Sequence, residues 1–274
     1  MKSTSTVLQQ LSEAKKIVIF GTGYIAEQFT RVLIEQGLEG RIAGYITSDG
    51  NVGEYMGFPV NRIQPSQVEL DTLICIAVHE CHWNKVETYL QQIGVDRTLW
   101  ITPHLYTLLL GKPLEKSVSV PIDEIMRANA FSYKPAVITL AIKSYFGLCN
   151  QGKEWYIYLQ AHYSSRDTGE IRYRHLCELI QSVERDGYQG SHSSLLLENY
   201  SIVDGAHRIC VAAYFGYEDV VCNIYPQTKN IGEIDSGEAL MTRESLLLTG
   251  LSTGARNAIE AQHKKLLQGL YNKE

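Results

Sequence analysis

The residues best suited to chemistry lie within positions 200–208, which read Tyr-Ser-Ile-Val-Asp-Gly-Ala-His-Arg. A short β-branched run ends at Asp204 and Gly205, and the residues that follow favour a helix, so the pattern predicts a strand, a tight turn and a helix N-terminus. Gly205 tolerates a positive φ, the first-turn amides point out of the helix, and Arg208 offers a planar guanidinium group. The segment therefore predicts a phosphate site formed by Gly205, His207 and Arg208.

Asp204 needs a separate role, because a carboxylate does not attract phosphate. It would coordinate a magnesium ion, accept a proton from a hydroxyl group, or orient His207. The alternative is an ordinary Asp-Gly turn in which Asp204 caps the following helix. The presence of His207 and Arg208 beside it favours the functional interpretation.

Residues 198–225, ENYSIVDGAHRICVAAYFGYEDVVCNIY, resemble the nucleotide-binding core of the ParB/sulfiredoxin-like superfamily, in which a D-G-x-H-R-type turn joins a strand to a helix. The resemblance extends over residues 170–225 and is nearest to the free-serine kinase branch. Partition proteins usually carry Gly-Glu-Arg-Arg instead, and sulfiredoxins carry a Cys where this chain has Ala206. The resemblance implies a phosphotransferase that uses ATP or another nucleoside triphosphate with Mg²⁺, the metal being held by Asp204.

Residues 161–187 predict a polar loop and then an amphipathic helix that begins at Thr168 or Glu170. In the free-serine kinase branch a glutamate near this point serves as the base toward the substrate hydroxyl, and Glu170 is the residue here that matches by position. A first-turn glutamate that only complements the helix dipole fits equally well. We expect Arg172 to contact the ligand, because it is predicted to lie in the first turn beside Glu170.

A second motif lies near the N-terminus. The apolar run 16–20 leads into Gly-Thr-Gly-Tyr-Ile-Ala and then a predicted helix over residues 27–36, which is the opening of a Rossmann-like domain. Asp49 follows the next predicted strand, 41–47, near the position at which an acidic residue contacts ribose, although a plain turn explains it equally well. The candidate contacts to NAD or a nucleotide sugar are Gly21, Gly23, Tyr24, Ile25 and Asp49.

Predicted strands at 72–78 and 98–101 alternate with a predicted helix at 83–93, which indicates a parallel sheet with helices on both faces. Gly21, Ser48, Asp49 and His79 should then share one edge of that sheet. The segments KKIVIFGTGYIAEQF, GYITSD, MGFPV and TLICIAVHE resemble the small Rossmann-like domain of bacterial surface-glycan proteins. That resemblance implies a nucleotide-sugar ligand or a positioning role, in surface-polysaccharide biosynthesis.

The periodic pattern weakens over residues 102–121, which are rich in proline and glycine. The predicted fold is α/β, with a Rossmann-like domain at 1–115 and an α+β, ParB/sulfiredoxin-like domain at 116–274. A last helix is predicted over residues 253–270. It would either dock on the body of the protein or form the contact of a homodimer.

Composition bears on partners and compartment. A net charge of -5 and a pI near 5.9 argue against nucleic-acid binding. No apolar run reaches the ~20 residues that span a bilayer, so no membrane association is expected. The 6 cysteines are widely spread and suit buried thiols in a reducing compartment, which predicts a cytoplasmic protein.

Together these features favour a nucleotide-dependent phosphotransferase acting on a hydroxyl of a small metabolite or sugar precursor. Gly205, His207 and Arg208 would hold the phosphates, Asp204 would position the reacting groups and Glu170 would remove the hydroxyl proton. A non-catalytic nucleotide sensor and an NAD-dependent oxidoreductase are the alternatives.

Overall fold

The computed structural model describes residues 4–48, 53–62, 71–163, 165–190, 193–227 and 241–271. Asp49 lies outside these residues. The chain has a mixed α/β structure and divides into two compact units, Met1–Gly111 and Lys112–Glu274, each with its own sheet and core. In the described part of the chain, no helix combines the length and apolar character needed to cross a membrane.

The strands of the first unit form one sheet. They are β1 (Lys16–Phe20), β2 (Ile42–Thr47), β3 (Gly53–Tyr55), β4 (Phe58–Arg62), β5 (Thr72–Ile76) and β6 (Thr98–Trp100). Within the described residues the sheet has the order β3-β4-β2-β1-β5-β6. All neighbours pair in parallel except β3 and β4, which form an antiparallel hairpin. The carboxyl ends of β1, β2 and β5 therefore share an edge.

Helices cover both faces of this sheet. They are α1 (Thr4–Glu13), α2 (Tyr24–Glu35), α3 (Glu80–Gln92) and α4 (Leu105–Leu110). Alternate residues of a strand point to opposite faces. Ile17 and Ile19 accordingly belong to the cluster formed with α1, α2 and α4, whereas Phe20 belongs to the cluster formed with α3.

The second unit contains β7 (Glu115–Pro121), β8 (Ser194–Leu197), β9 (Ile202–Asp204) and β10 (Asp219–Tyr225). Their order is β7-β10-β8-β9, with β10 and β8 parallel and the other two pairs antiparallel. The sequence predicts loose structure as far as residue 121, but β7 is a strand that pairs with β10. The division between the units falls before it, at Gly111 and Lys112.

The helices of the second unit share a single hydrophobic cluster with the buried side of the sheet. They are α5 (Ile122–Ala128), α6 (Lys134–Tyr145), α7 (Gly152–Tyr163), α8 (Arg166–Asp186), α9 (Ala206–Tyr214), α10 (Arg243–Leu248) and α11 (Thr253–Tyr271). Helix α6 is buried along eight consecutive residues, 135–142, and contacts α7, α9 and α11. It is therefore the central helix of this unit.

Helix α11 docks on its own unit. Ala255 and Ile259 are buried in the shared cluster, and Lys143 Nζ of α6 donates a hydrogen bond of 2.6 Å to Gln262 Oε1. The ring of His263 lies 4.4 Å from that of Tyr133, measured between centroids. Of the two roles predicted for the last helix, the structure shows docking on the body.

Candidate functional site

Strand β9 delivers the predicted turn to the start of α9. Gly205 has φ 95° and ψ 12°, in the left-handed region, and is itself the N-cap of the helix. Asp204 lies one residue before the cap, so the alternative in which Asp204 caps the helix is wrong. A β-carbon at Gly205 would lie 2.7 Å from Ser194 Cβ and 3.0 Å from Arg208 Nη2. Both backbone angle and close packing therefore require glycine here.

Asn129 fixes the strand that carries this turn. Its side-chain amide donates to Tyr200 O at 2.9 Å and to Ile125 O at 2.7 Å, and its carbonyl oxygen accepts from Ile202 N at 3.1 Å. Tyr200 has φ 61°, an unusual value for a non-glycine residue. The predicted strand 200–203 is therefore shifted to Ile202–Asp204, and a buried side chain from the end of α5 holds its entrance.

Arg208 lies in the first turn of α9 and is held near the Gly205 turn. Its Nη2 lies 3.4 Å from Asp204 Oδ2, and its side chain is only 25% exposed, compared with 52% for Asp204. Arg208 Nε is buried and has no hydrogen-bond partner among the described residues. The guanidinium group thus combines an outer contact to a carboxylate with an inner, unsatisfied edge.

His207 is a neutral imidazole at pH 7. Burial, and then the positive charges of Lys134, Arg172 and Arg208, lower the pKa of His207 from 6.5 to about 3. Its Nε2 lies 2.7 Å from Tyr156 Oη of α7, in a hydrogen bond. His207 can therefore contribute a hydrogen bond to a ligand at neutral pH, whereas the positive charge must come from its neighbours.

Three helices supply that positive charge. Lys134 is the first residue of α6, Arg172 lies on α8, and Arg208 lies on α9; their charges all act on His207. Arg172 Nη1 donates a hydrogen bond to Gln160 Oε1, which orients it. Cations from three helices and the positive end of the α9 dipole make this region favourable for an anion.

Glu170 lies on a different side of α8 from Arg172. The helix begins at Arg166 because Ser165 Oγ caps it, accepting from Thr168 N at 3.2 Å, so the predicted start at Thr168 or Glu170 is wrong. Neither Glu170 nor Arg172 is in the first turn, and two residues along a helix are separated by about 200° of rotation. Glu170 is half-exposed, and its Oε1 accepts from Arg166 Nε at 3.2 Å.

The structure thus brings together five of the predicted residues of the second unit: Arg172, Asp204, Gly205, His207 and Arg208. The described contacts of Glu170 do not connect it to them. Tyr156 and Lys134 contribute to the site but were missed, because both lie in helical segments of ordinary amphipathic or apolar pattern. Both are also far along the chain from residue 204, so no local pattern links them to the motif.

In the first unit, the Gly21 turn lies at the carboxyl edge of the sheet. Gly21 has φ 110°, its N donates to Ile46 O at 2.9 Å, and Ala77 N donates to Phe20 O at 3.0 Å. The turn therefore sits between the ends of β2 and β5. Gly23 is the N-cap of α2, so Tyr24 and Ile25 are its first two residues, three positions before the predicted start at 27.

Comparison of the chain with protein-family models, with curated proteins and with solved structures found no match. The described residues contain no group of three or more His, Cys, Asp or Glu side chains placed to hold a metal ion. Functional inference therefore starts from the geometry of the two turns.

Proposed function

We propose that the second unit binds the phosphate groups of a nucleoside triphosphate at the turn between β9 and α9. The observation that carries this proposal is the left-handed Gly205 at the N-cap of α9, with the partly buried Arg208 in the first turn of the same helix. Helix N-termini bind phosphate through their backbone N–H groups, and guanidinium groups bind it through paired hydrogen bonds. The charges of Lys134 and Arg172 add to the attraction.

The reaction that suits this site best is phosphoryl transfer to a hydroxyl of a small metabolite or sugar precursor. Such reactions depend mainly on positioning and charge neutralisation. Asp204 is half-exposed at the outer edge of Arg208 and is the carboxylate that would hold Mg²⁺. A single carboxylate together with substrate phosphates is a usual environment for Mg²⁺ in proteins.

A non-catalytic nucleotide sensor is the second candidate, and the position of Glu170 favours it. The residue matched to the catalytic base is half-exposed and paired with Arg166. If Glu170 is not the base, Asp204 is the carboxylate left beside the phosphates, and an Asp204→Asn variant separates the two functions. An enzyme loses turnover in this variant, whereas a sensor shows no turnover in either form.

Binding is tested by calorimetric titration of ATP, CTP and GTP with Mg²⁺ into the wild type and Arg208→Ala. The matched control is Arg185→Ala, because Arg185 is exposed on α8 and paired with the adjacent Asp186. We expect Arg208→Ala to weaken binding by at least about tenfold, as for the loss of a charged hydrogen bond, and Arg185→Ala to bind normally. Absence of nucleotide binding by the wild type, or equal affinities in all three proteins, would overturn the proposal.

For the first unit we propose a nucleotide sugar as ligand, with NAD as the alternative that an oxidoreductase would use. The support is the Gly21 turn at the carboxyl edge of a parallel sheet, where ligands of such sheets bind. A titration with a UDP-sugar and with NADH, in the wild type and in Arg208→Ala, assigns each ligand to a unit. We expect binding at the first unit to be unaffected by the Arg208 substitution.

A further inference from the structure

Three polar side-chain atoms are buried in the second unit. They are Ser194 Oγ, Tyr188 Oη and Arg208 Nε, and none of them has a hydrogen-bond partner among the described residues. Ser194, the first residue of β8, is completely buried. Burying a polar group without a partner costs free energy, so such groups in one place indicate a ligand that satisfies them.

Ser194 and Arg208 are neighbours at the Gly205 turn. The position that a β-carbon of Gly205 would take lies within 3.0 Å of both Ser194 and Arg208 Nη2, so the serine and the guanidinium group flank the turn. Tyr188 lies in the loop after α8. Burial raises the pKa of Tyr188, and the positive charge of Arg208 opposes that rise, so the charge of the guanidinium group acts on the phenol.

The chemistry of the three groups favours an oxyanion. Arg208 Nε is a donor only, and both hydroxyl groups can donate. Because burial favours the protonated phenol, Tyr188 keeps its donor at neutral pH. Asp204 contacts Nη2 of Arg208, and the Nε has no partner among the described residues.

We propose that Ser194, Tyr188 and the Nε edge of Arg208 form an inner wall of the phosphate site. The two hydroxyl groups and the guanidinium group donate hydrogen bonds to the phosphate that the Gly205 turn holds. This inference rests on the proposed phosphate site and adds to it two residues that lie before the motif, at 188 and 194.

The test compares Ser194→Ala, Tyr188→Phe and the double variant with the wild type, using ATP and inorganic pyrophosphate as probes. The control is Tyr158→Phe, whose hydroxyl donates to Thr249 O at 2.6 Å. Each variant of the inner wall should bind the probes about tenfold more weakly, the usual loss for a hydrogen bond to a charged group. In the absence of ligand, each should melt at the same temperature as the wild type or higher, because an unpaired buried hydroxyl has been removed.

Weaker binding of both probes shows that the wall contacts phosphate itself, and weaker binding of ATP alone restricts the contact to the nucleotide's own phosphate chain. Unchanged affinity in the double variant, with binding lost in Arg208→Ala, overturns the inner wall and leaves the proposed function intact. A lower melting temperature without loss of affinity assigns the hydroxyl groups to internal structure and also overturns it. If the wild type binds neither probe, the proposed phosphate site fails and the inner wall fails with it.

Discussion

The low pKa of His207 predicts a specific dependence of stability on pH. The folded-state pKa is about 3 and the ordinary value is 6.5. Well above pH 6.5 the imidazole is neutral in both folded and unfolded chains, and stability does not depend on its protonation. Below pH 6.5 the unfolded chain binds a proton and the folded chain does not, so the folded state loses about 1.4 kcal/mol per pH unit. Between pH 7.5 and pH 4.5 the loss is about 2.7 kcal/mol.

The assay is urea unfolding of the wild type and His207→Gln at pH 7.5, 6.5, 5.5 and 4.5. Glutamine keeps a hydrogen-bonding group near Tyr156 and does not titrate, so the difference between the proteins isolates His207 from the carboxylates. We expect the free energy of unfolding of the wild type to approach or fall below that of the variant as the pH falls. Parallel pH profiles would refute the reasoning, as would an NMR titration of the His207 ring near pH 6.5.

Three further predictions concern single contacts. Gly205→Ala should lower the free energy of unfolding by about 2–4 kcal/mol in a urea assay, because alanine is strained at this positive φ and its β-carbon would collide with Ser194. The control is Gly216→Ala, which is also at positive φ but has no atom near the added β-carbon, and it should cost only about 1 kcal/mol. Gly21→Ala should abolish ligand binding at the first unit, since the added β-carbon would lie 2.9 Å from Ala77 O. Titration with a UDP-sugar and with NADH measures the affinity, and an affinity equal to that of the wild type would contradict the prediction. Tyr156→Phe should cost about 1–2 kcal/mol by leaving His207 Nε2 without its hydrogen bond, and equal urea midpoints for wild type and variant would show that the bond is not needed.

Local features of the fold could be predicted from the sequence. Strand β1 has the predicted bounds, because its β-branched run ends directly at a glycine turn. The Gly205 turn could also be predicted, since a glycine between a β-branched run and a helix-forming run is typical of a tight turn. Both features depend only on residues that are neighbours along the chain, so the local sequence pattern is enough to predict them.

Features that depend on distant residues could not be predicted. The start of α8 is set by the Ser165 cap. Because the helix begins at residue 166, Glu170 and Arg172 lie outside its first turn. Strand β7 was obscured by the glycine and proline just before it and by Pro121 at its end, and its partner β10 lies about 100 residues later. The contacts of Tyr156 and Ser194 with the motif exist only after α7 and β8 have packed.

The docking of α11 on α6 has a consequence for the order of synthesis. Every element of the first unit has been made by residue 111, so that unit can fold while the rest of the chain is still on the ribosome. The core of the second unit includes Ala255 and Ile259, so it closes only after α11 has emerged. Until then α6, which begins at Lys134, lacks one of its packing partners. The two units therefore complete folding at different times, and the proposed nucleotide site belongs to the later one.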